Sequence, residues 1–107
     1  MFVTGQVAVA PGHDGLRNRD AIGEMGTIET QTTRVLENIK AILEAAGSSM
    51  SRVLKTTVFL RDMADFPKMN AVYGEFFPSE PPARSTVQVA ALPRGAAVEI
   101  EAVAALA

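Results

Sequence analysis

Four stretches of the chain are predicted to be β-strands, and along the last two of them apolar and polar positions alternate. The four stretches are residues 2–10, 53–60, 81–89 and 97–103. In the second of them both alternating sets are apolar, with Leu54, Val58 and Leu60 on one side and Val53 and Phe59 on the other. We therefore predict that this strand is covered on both faces.

Two further stretches place apolar residues at the one-face spacing of an amphipathic helix. The first begins at Thr27, whose side chain suits helix capping, and ends at Gly47, a common C-terminal stop. The second is predicted to be capped by Asp65, to carry Pro67 in its first turn, and to end at Pro78.

The resulting order of elements, β, α, β, α, β, β, predicts a single α+β domain over residues 1–107. Two helices can cover only one face of its sheet. The opposite face would still expose the apolar side chains of Phe2, Val53, Phe59 and Val103. Because so apolar a face needs cover, we expect a second copy of the chain to pack against it.

The last two strands are predicted to form a hairpin through residues 91–96. The apolar residues then pair on one face, Val89 with Val98 and Val87 with Ile100, which gives a consistent register. The other face holds Gln88 beside Glu99, Thr86 beside Glu101, and Arg84 beside Val103. In this register Arg84 lies one diagonal step from Glu101. Glu99 and Glu101 are neighbours along one strand, and if they are buried together their repulsion would raise one carboxyl pKa.

Composition narrows the classes of function. Hydrophobic residues make up 48% of the chain, as in a folded domain, and the net charge of −2 argues against nucleic-acid binding. There is no cysteine and His13 is the only histidine, so thiol chemistry and the usual zinc sites are excluded. His13 is interpreted as a solvated turn residue. No run reaches the roughly 20 apolar residues of a membrane span, and no signal peptide is evident, so we expect a cytoplasmic protein.

The face with Arg84 and Glu101 has two interpretations. One is a solvated sheet face whose charges only aid solubility. The other is a pocket, because an arginine fork binds a carboxylate through two hydrogen bonds and a nearby glutamate can hold and polarise a water molecule. Those groups suit the hydrolysis of a small substrate that carries a carboxylate. Asn70 lies on the apolar stripe of the second helix, so its amide needs a partner either in the protein or in a ligand.

The hairpin region also carries a recognisable signature. The segment PARSTVQVAALP at residues 82–93, followed by VEIEA at 98–102, closely resembles the signature of the Rid (YjgF-type) imine deaminase family. The resemblance extends over residues 2–6, 31–47, 53–60 and 70–73, and so over nearly the whole chain. It implies a chorismate-mutase-like α+β fold that assembles as a homotrimer, with one sheet face in the trimer core and pockets between subunits.

The resemblance also implies a reaction, the hydrolysis of reactive 2-imino acids to 2-oxo acids and ammonia without a metal or cofactor. In the family these imino acids are released by pyridoxal-phosphate enzymes. Arg84 matches the family arginine that binds the substrate carboxylate, and Glu101 matches the glutamate that positions the attacking water. Asn70 matches an asparagine near the pocket and Gly5 a pocket-lining glycine. Thr86 stands where many members have cysteine, at a position that usually contacts substrate through its backbone.

The sequence departs from the family pattern in two places. Typical members begin with a further segment containing Gly-Pro-Tyr-Ser, whose tyrosine and serine line the pocket, whereas this sequence begins just before the strand at residues 2–6. We therefore expect a domain without the family's first strand. The loop over residues 13–26 is also less family-like.

Two other functions compete with the deaminase. One is a non-catalytic or regulatory trimer that binds small carboxylate metabolites in its intersubunit clefts. Arg84 suits both this function and the deaminase, whereas Glu101 favours the deaminase and the absent tyrosine segment favours the binding protein. The other is the ribonuclease or translation-inhibitor activity sometimes attached to the family, which fits a chain with net negative charge and one histidine poorly.

Overall fold

The computed structural model describes residues 1–7 and 26–106. Its elements in chain order are β1 (Phe2–Gln6), α1 (Ile28–Ala45), β2 (Val53–Leu60), α2 (Phe66–Phe76), β3 (Ala83–Gln88) and β4 (Val98–Ala104). The predicted α+β class is confirmed, with strands and helices in the predicted order. Some predictions lie outside the described residues. They are the interpretation of His13, that of most of the 13–26 loop, and the last three residues of the first predicted strand.

The ends of α1 follow the sequence prediction. The Thr27 hydroxyl oxygen accepts a hydrogen bond from the backbone N–H of Thr30 at 3.2 Å, which satisfies one of the unpaired donors of the first turn. At the other end Gly47 has φ +82°, and the Ser48 N–H donates to the Leu43 carbonyl at 2.8 Å. Glycine suits this turn because it adopts positive φ without a Cβ clash.

The start of α2 differs from the prediction in one detail. Asp65 occupies the N-cap position, and Pro67 lies in the first turn as predicted, but the Asp65 side chain makes no capping hydrogen bond. The Asp62 carboxylate instead accepts from the Ala64 N–H at 2.9 Å, where a short 3-10 turn precedes the helix. The capping hydrogen bond therefore comes from Asp62, at the start of the short 3-10 turn, rather than from Asp65 at the start of α2.

The predicted hairpin between the last two strands is wrong. The sheet order is β1-β4-β2-β3, so β2 lies between β3 and β4, pairing parallel with β3 and antiparallel with β4. Val87 of β3 is level with Phe59 and Glu99, whereas Val98 and Ile100 of β4 are buried on the opposite face of the sheet, so the predicted pairs Val89–Val98 and Val87–Ile100 do not form. Alternation within a strand does not reveal which of its two sides faces the helices or which strand is its neighbour. Residues 89–97 cross the one intervening strand, a step of about 10 Å.

Both helices pack on one face of this sheet, which we call the core face. Its largest buried side chains come from the helices and the two central strands: Leu36, Ile39, Leu43, Val58, Leu60, Met69 and Ile100. The prediction that Leu54 shares a side with Val58 is wrong. A register shift between Val53 and Lys55 leaves Leu54 60% exposed and turns Val53 into the core instead.

The opposite face of the sheet, which we call the open face, has no cover among the described residues. Phe2 is 58% exposed and Val87 is 42% exposed, while Phe59 and Val103 are partly exposed. The predicted apolar, uncovered face is therefore present, although Val53 does not belong to it. Neither helix in the part of the chain that the structure describes is both long and apolar enough to span a membrane.

Candidate functional site

Arg84 is the centre of a small cluster at the outer strand β3. Its Nη1 donates a hydrogen bond to the Asn70 side-chain carbonyl at 2.6 Å. Its guanidinium carbon lies 4.6 Å from the centre of the Tyr73 ring and 5.3 Å from that of the Phe66 ring. Both distances are within the range of cation–π attraction, so two aromatic rings and one amide orient this cation. Asn70 therefore finds the hydrogen-bond partner that its position on α2 demanded.

The three α2 residues of the cluster are presented on one helix face, because their spacing is four and then three residues. Tyr73 is fixed in turn by β2, since its hydroxyl forms a hydrogen bond of 2.7 Å with the buried Thr56 hydroxyl. Burial raises the pKa of the Tyr73 phenol above 10.0, against smaller opposing effects of the Thr56 hydrogen bond and the Arg84 charge. The phenol is therefore neutral at pH 7 and acts as a rigid support.

An open groove of about 350 Å³ adjoins Arg84. Its walls come from α2, the segment after it and the start of β3: Asn70, Tyr73, Gly74, Phe77, Pro81, Pro82 and Arg84. The walls are mainly apolar or aromatic. Among residues 1–7 and 26–106 no carboxylate forms an ion pair with Arg84, and Asn70 accepts only one of the five N–H donors of the guanidinium. The groove thus presents a positive, fork-shaped donor to a small anion.

Glu101 does not lie in this groove, so the predicted sharing of one face by Arg84 and Glu101 is wrong for a single chain. Across the sheet Arg84 is aligned with Thr56, and Thr56 with Ala102. Both of these residues are buried on the core face, so Arg84 projects from that face too. Glu101 is aligned with Thr57 and therefore projects from the open face. The hairpin register failed here because the intervening strand β2 changes which residues of β3 and β4 are level with each other.

On the open face, Glu101 lines a second, smaller pocket of about 40 Å³. The other lining residues come from β1, β2 and β4: Phe2, Lys55, Thr57, Ala102 and Val103. Lys55 brings a positive charge to the same pocket. A cavity of this size accommodates one or two water molecules, which is the scale of a hydrolytic water site.

Gly5 and Glu99 meet on the open face beside Glu101. The Glu99 carboxyl group lies so close to Gly5 that a Cβ at Gly5 would come within 2.7 Å of the Glu99 Cδ. Burial raises the pKa of Glu99, and the negative charge of Glu101 raises it further. The space that a side chain at position 5 would fill is therefore occupied by the Glu99 carboxyl group.

Thr86 lies two residues beyond Arg84 on the same side of β3. Its hydroxyl oxygen is buried and makes no hydrogen bond with any described residue. The backbone contact predicted for this position stays a prediction.

Sequence reasoning missed the aromatic support of Arg84 and the contact between Gly5 and Glu99. The first had a signal, since Phe66, Asn70 and Tyr73 occupy one helix stripe, but nothing in the sequence showed which strand residue that stripe meets. The contact between Gly5 and Glu99 had no signal in the sequence, because it depends on the pairing of β1 with β4. Among the described residues, no group of three or more histidine, aspartate or glutamate side chains is arranged to hold a metal ion.

Comparison with known proteins agrees with this architecture. A family model described as Endoribonuclease L-PSP matches residues 1–106. The chain belongs to this family. It is 49% identical to a RutC family protein of Pyrococcus horikoshii, covering 97% of this chain and 77% of the relative. It is 51% identical over 80 residues to the chloroplastic Reactive Intermediate Deaminase A of Arabidopsis thaliana, covering 75% of this chain and 43% of the relative.

A solved structure shows the same fold. The Escherichia coli protein TdcF, crystallised with bound serine, superposes with a TM-score of 0.85 at 40% sequence identity, covering 99% of this chain and 80% of that one. The family thus includes reactive intermediate deaminases alongside proteins named RutC or endoribonuclease, and the recognised resemblance to Rid proteins is confirmed.

Proposed function

We propose that this protein hydrolyses small 2-imino acids to 2-oxo acids and ammonia. The observation that carries the proposal is the Arg84 guanidinium, which is hydrogen-bonded to Asn70, lies against two aromatic rings and lines a groove of about 350 Å³. A planar fork that is fixed in this way suits one end of a small carboxylate substrate. The deaminase relative from Arabidopsis and the serine bound to TdcF support a substrate of amino-acid size.

The proposed site is shared between subunits. Arg84 and Glu101 project from opposite faces of one sheet, so they act on one substrate only if Glu101 comes from a neighbouring chain. The open face that carries Glu101 also exposes Phe2 and Val87, and contact between chains would bury both. We propose a homotrimer of the chorismate-mutase-like type, with the open face towards the trimer core and the sites at the subunit boundaries.

In the proposed reaction Arg84 holds the substrate carboxylate and Glu101 positions the attacking water. Glu101 accepts a proton from the water as its oxygen bonds to C2 of the imine, while the C=N π electrons move to the nitrogen, which takes up a proton to give a carbinolamine. Glu101 then returns its proton to the nitrogen as the C2–N bond breaks, the hydroxyl group loses its proton to form the C=O bond, and ammonia and the 2-oxo acid leave. The Tyr73 and Phe66 rings keep the Arg84 fork oriented throughout, so that positioning accounts for much of the rate enhancement.

Imine hydrolysis fits the chain better than RNA cleavage, despite the word endoribonuclease in the family description. The chain has a net charge of −2 and a single histidine. An RNA site needs a basic surface to hold phosphates, whereas the Arg84 groove offers one cation among apolar walls.

An amino-acid oxidase that generates 2-iminobutanoate in situ, with semicarbazide to trap the imine that escapes hydrolysis, tests this function. We expect the wild-type protein to suppress trapping, and Arg84→Ala and Glu101→Ala each to lose most of this effect. Glu44→Ala, an exposed change on α1, is the matched control and should behave as wild type. Suppression that is unchanged in both site variants would contradict the proposal. Binding of 2-oxobutanoate without any suppression by the wild type would favour the non-catalytic binding protein.

A further inference from the structure

Glu99 is the second carboxylate on the open face, and the proposed mechanism leaves it unused. It lies two residues before Glu101 on β4, so both side chains project from the same face. Its carboxyl group lies over Gly5 of β1, in the space that a Cβ would otherwise fill. The backbone of β1 therefore confines Glu99 beside Glu101.

The surroundings of the two carboxylates differ. Glu101 shares its pocket with the positive charge of Lys55, whereas the residues aligned with or lying against Glu99 are Phe59 and Gly5, which carry no charge. Among the described residues β1 contains no charged side chain, and Arg84, the charged residue of β3, projects from the core face. Glu99 is partly buried, and both that burial and the adjacent Glu101 charge raise its pKa. Both effects favour the protonated form of the Glu99 carboxyl group.

We infer that Glu99 is a second catalytic residue of the deaminase, the group that donates a proton to the imine nitrogen while Glu101 takes one from the water. This inference rests on the function proposed above. Division of acid and base roles between two adjacent carboxyl groups in different surroundings is a common catalytic arrangement.

The proton balance closes over two steps. As water attacks C2, its proton passes to Glu101, the π electrons of the C=N bond move to nitrogen, and Glu99 protonates that nitrogen to give the carbinolamine. In the second step Glu101 returns its proton to the nitrogen as the C2–N bond breaks. The hydroxyl proton passes to Glu99 as the C=O bond forms. Ammonia and the 2-oxo acid leave, with Glu99 protonated and Glu101 anionic as at the start.

The first test is the pH profile of kcat from pH 5 to 9 for the wild type, Glu99→Gln, Glu101→Gln and the surface control Glu44→Gln. Glutamine keeps the size of Glu99 but transfers no proton, so we expect kcat to fall about a hundredfold with an almost unchanged KM. The wild-type kcat should decline as the pH rises through the Glu99 pKa, and Glu99→Gln should lack this decline. Wild-type kcat and the same decline in Glu99→Gln would overturn the inference.

The second test uses Gly5→Ala, whose new Cβ would displace the Glu99 carboxyl group. We expect Gly5→Ala to lower kcat in the wild-type background and to have little effect in a Glu99→Ala background. Equal losses in both backgrounds would show that Gly5 acts independently of Glu99, which contradicts the inference. Failure of the proposed deaminase function is distinguishable, because the wild type would then hydrolyse no imine, or Glu101→Gln would hydrolyse it as fast as the wild type.

Discussion

Arg84 illustrates how far single residues could be assigned from the sequence. Its pairing chemistry and the need of Asn70 for a hydrogen-bond partner were both predictable, and the structure joins the two residues in one hydrogen bond. The flanking rings of Phe66 and Tyr73 were not predictable as partners, because a helix stripe does not reveal the strand residue that it meets. A site side chain is thus easier to recognise by its chemistry than by its neighbours.

We predict that Arg84→Lys weakens binding of 2-oxobutanoate nearly as much as Arg84→Ala. Lysine keeps the charge but loses both the planar fork and the contact of the guanidinium with the rings of Phe66 and Tyr73. Because each hydrogen bond to a charged group contributes about 1.5–3 kcal/mol, the loss of one should raise Kd at least about tenfold. Titration calorimetry measures the Kd for 2-oxobutanoate, and Arg34→Lys, a change at an exposed residue of α1, is the control. Wild-type affinity in Arg84→Lys would show that position 84 supplies charge alone.

Glu99 gives a second prediction at the residue scale, on stability rather than rate. Its pKa in the folded chain is raised above 4.5, so the folded state holds this proton more tightly than the unfolded state. The stability gained from that proton is present below about pH 4.5 and is lost as the pH rises through the folded pKa. We therefore expect Glu99→Gln to raise the melting temperature at pH 7 but not at pH 4. An equal change at both pH values, relative to Glu44→Gln, would contradict this account.

At the scale of elements, the sequence predicted which segments form helices and strands but not how the strands are ordered. β2 and α1 were recognisable because their apolar periods and end signals agree locally. In the order β1-β4-β2-β3, both β3 and β4 pair with β2. Alternation within β3 and β4 does not distinguish this arrangement from the predicted one, in which the two strands pair with each other. The misplacement of Glu101 beside Arg84 follows directly from that one missing piece of information.

The hydrogen bond between Thr56 and Tyr73 links β2 to α2 and supports the ring beneath Arg84. We predict that Tyr73→Phe lowers the free energy of unfolding by about 1–3 kcal/mol, because the buried Thr56 hydroxyl loses its partner. Adding Thr56→Val should recover much of that loss, since neither buried polar group then remains. Urea titrations of the two single variants and the double variant measure the coupling. Additive losses would mean that the hydrogen bond does not couple the two elements.

Phenylalanine at position 73 keeps the ring face that Arg84 contacts, so Tyr73→Phe should leave 2-oxobutanoate affinity within about twofold of wild type. A large loss of affinity would mean instead that the phenol hydroxyl itself takes part in binding.

For the whole molecule, the decisive feature is a sheet with helices on one face and exposed apolar side chains on the other. We predict a homotrimer in solution, because a further copy of the chain is the cover proposed for Phe2 and Val87. Light scattering coupled to size-exclusion chromatography measures the mass. A monomer at micromolar concentration would contradict the assembly, while Phe2→Ser should weaken it by removing apolar contact.

The most direct test of a site shared between subunits combines two variants that are each inactive, Arg84→Ala and Glu101→Ala. Co-expression with different affinity tags and tandem purification isolates trimers that contain both kinds of chain. In a closed ring of three, any such mixture pairs one intact Arg84 with one intact Glu101 at one boundary, so about one third of wild-type activity should return. Mixed trimers that are no more active than the separate variants would show that the two residues do not meet across subunits.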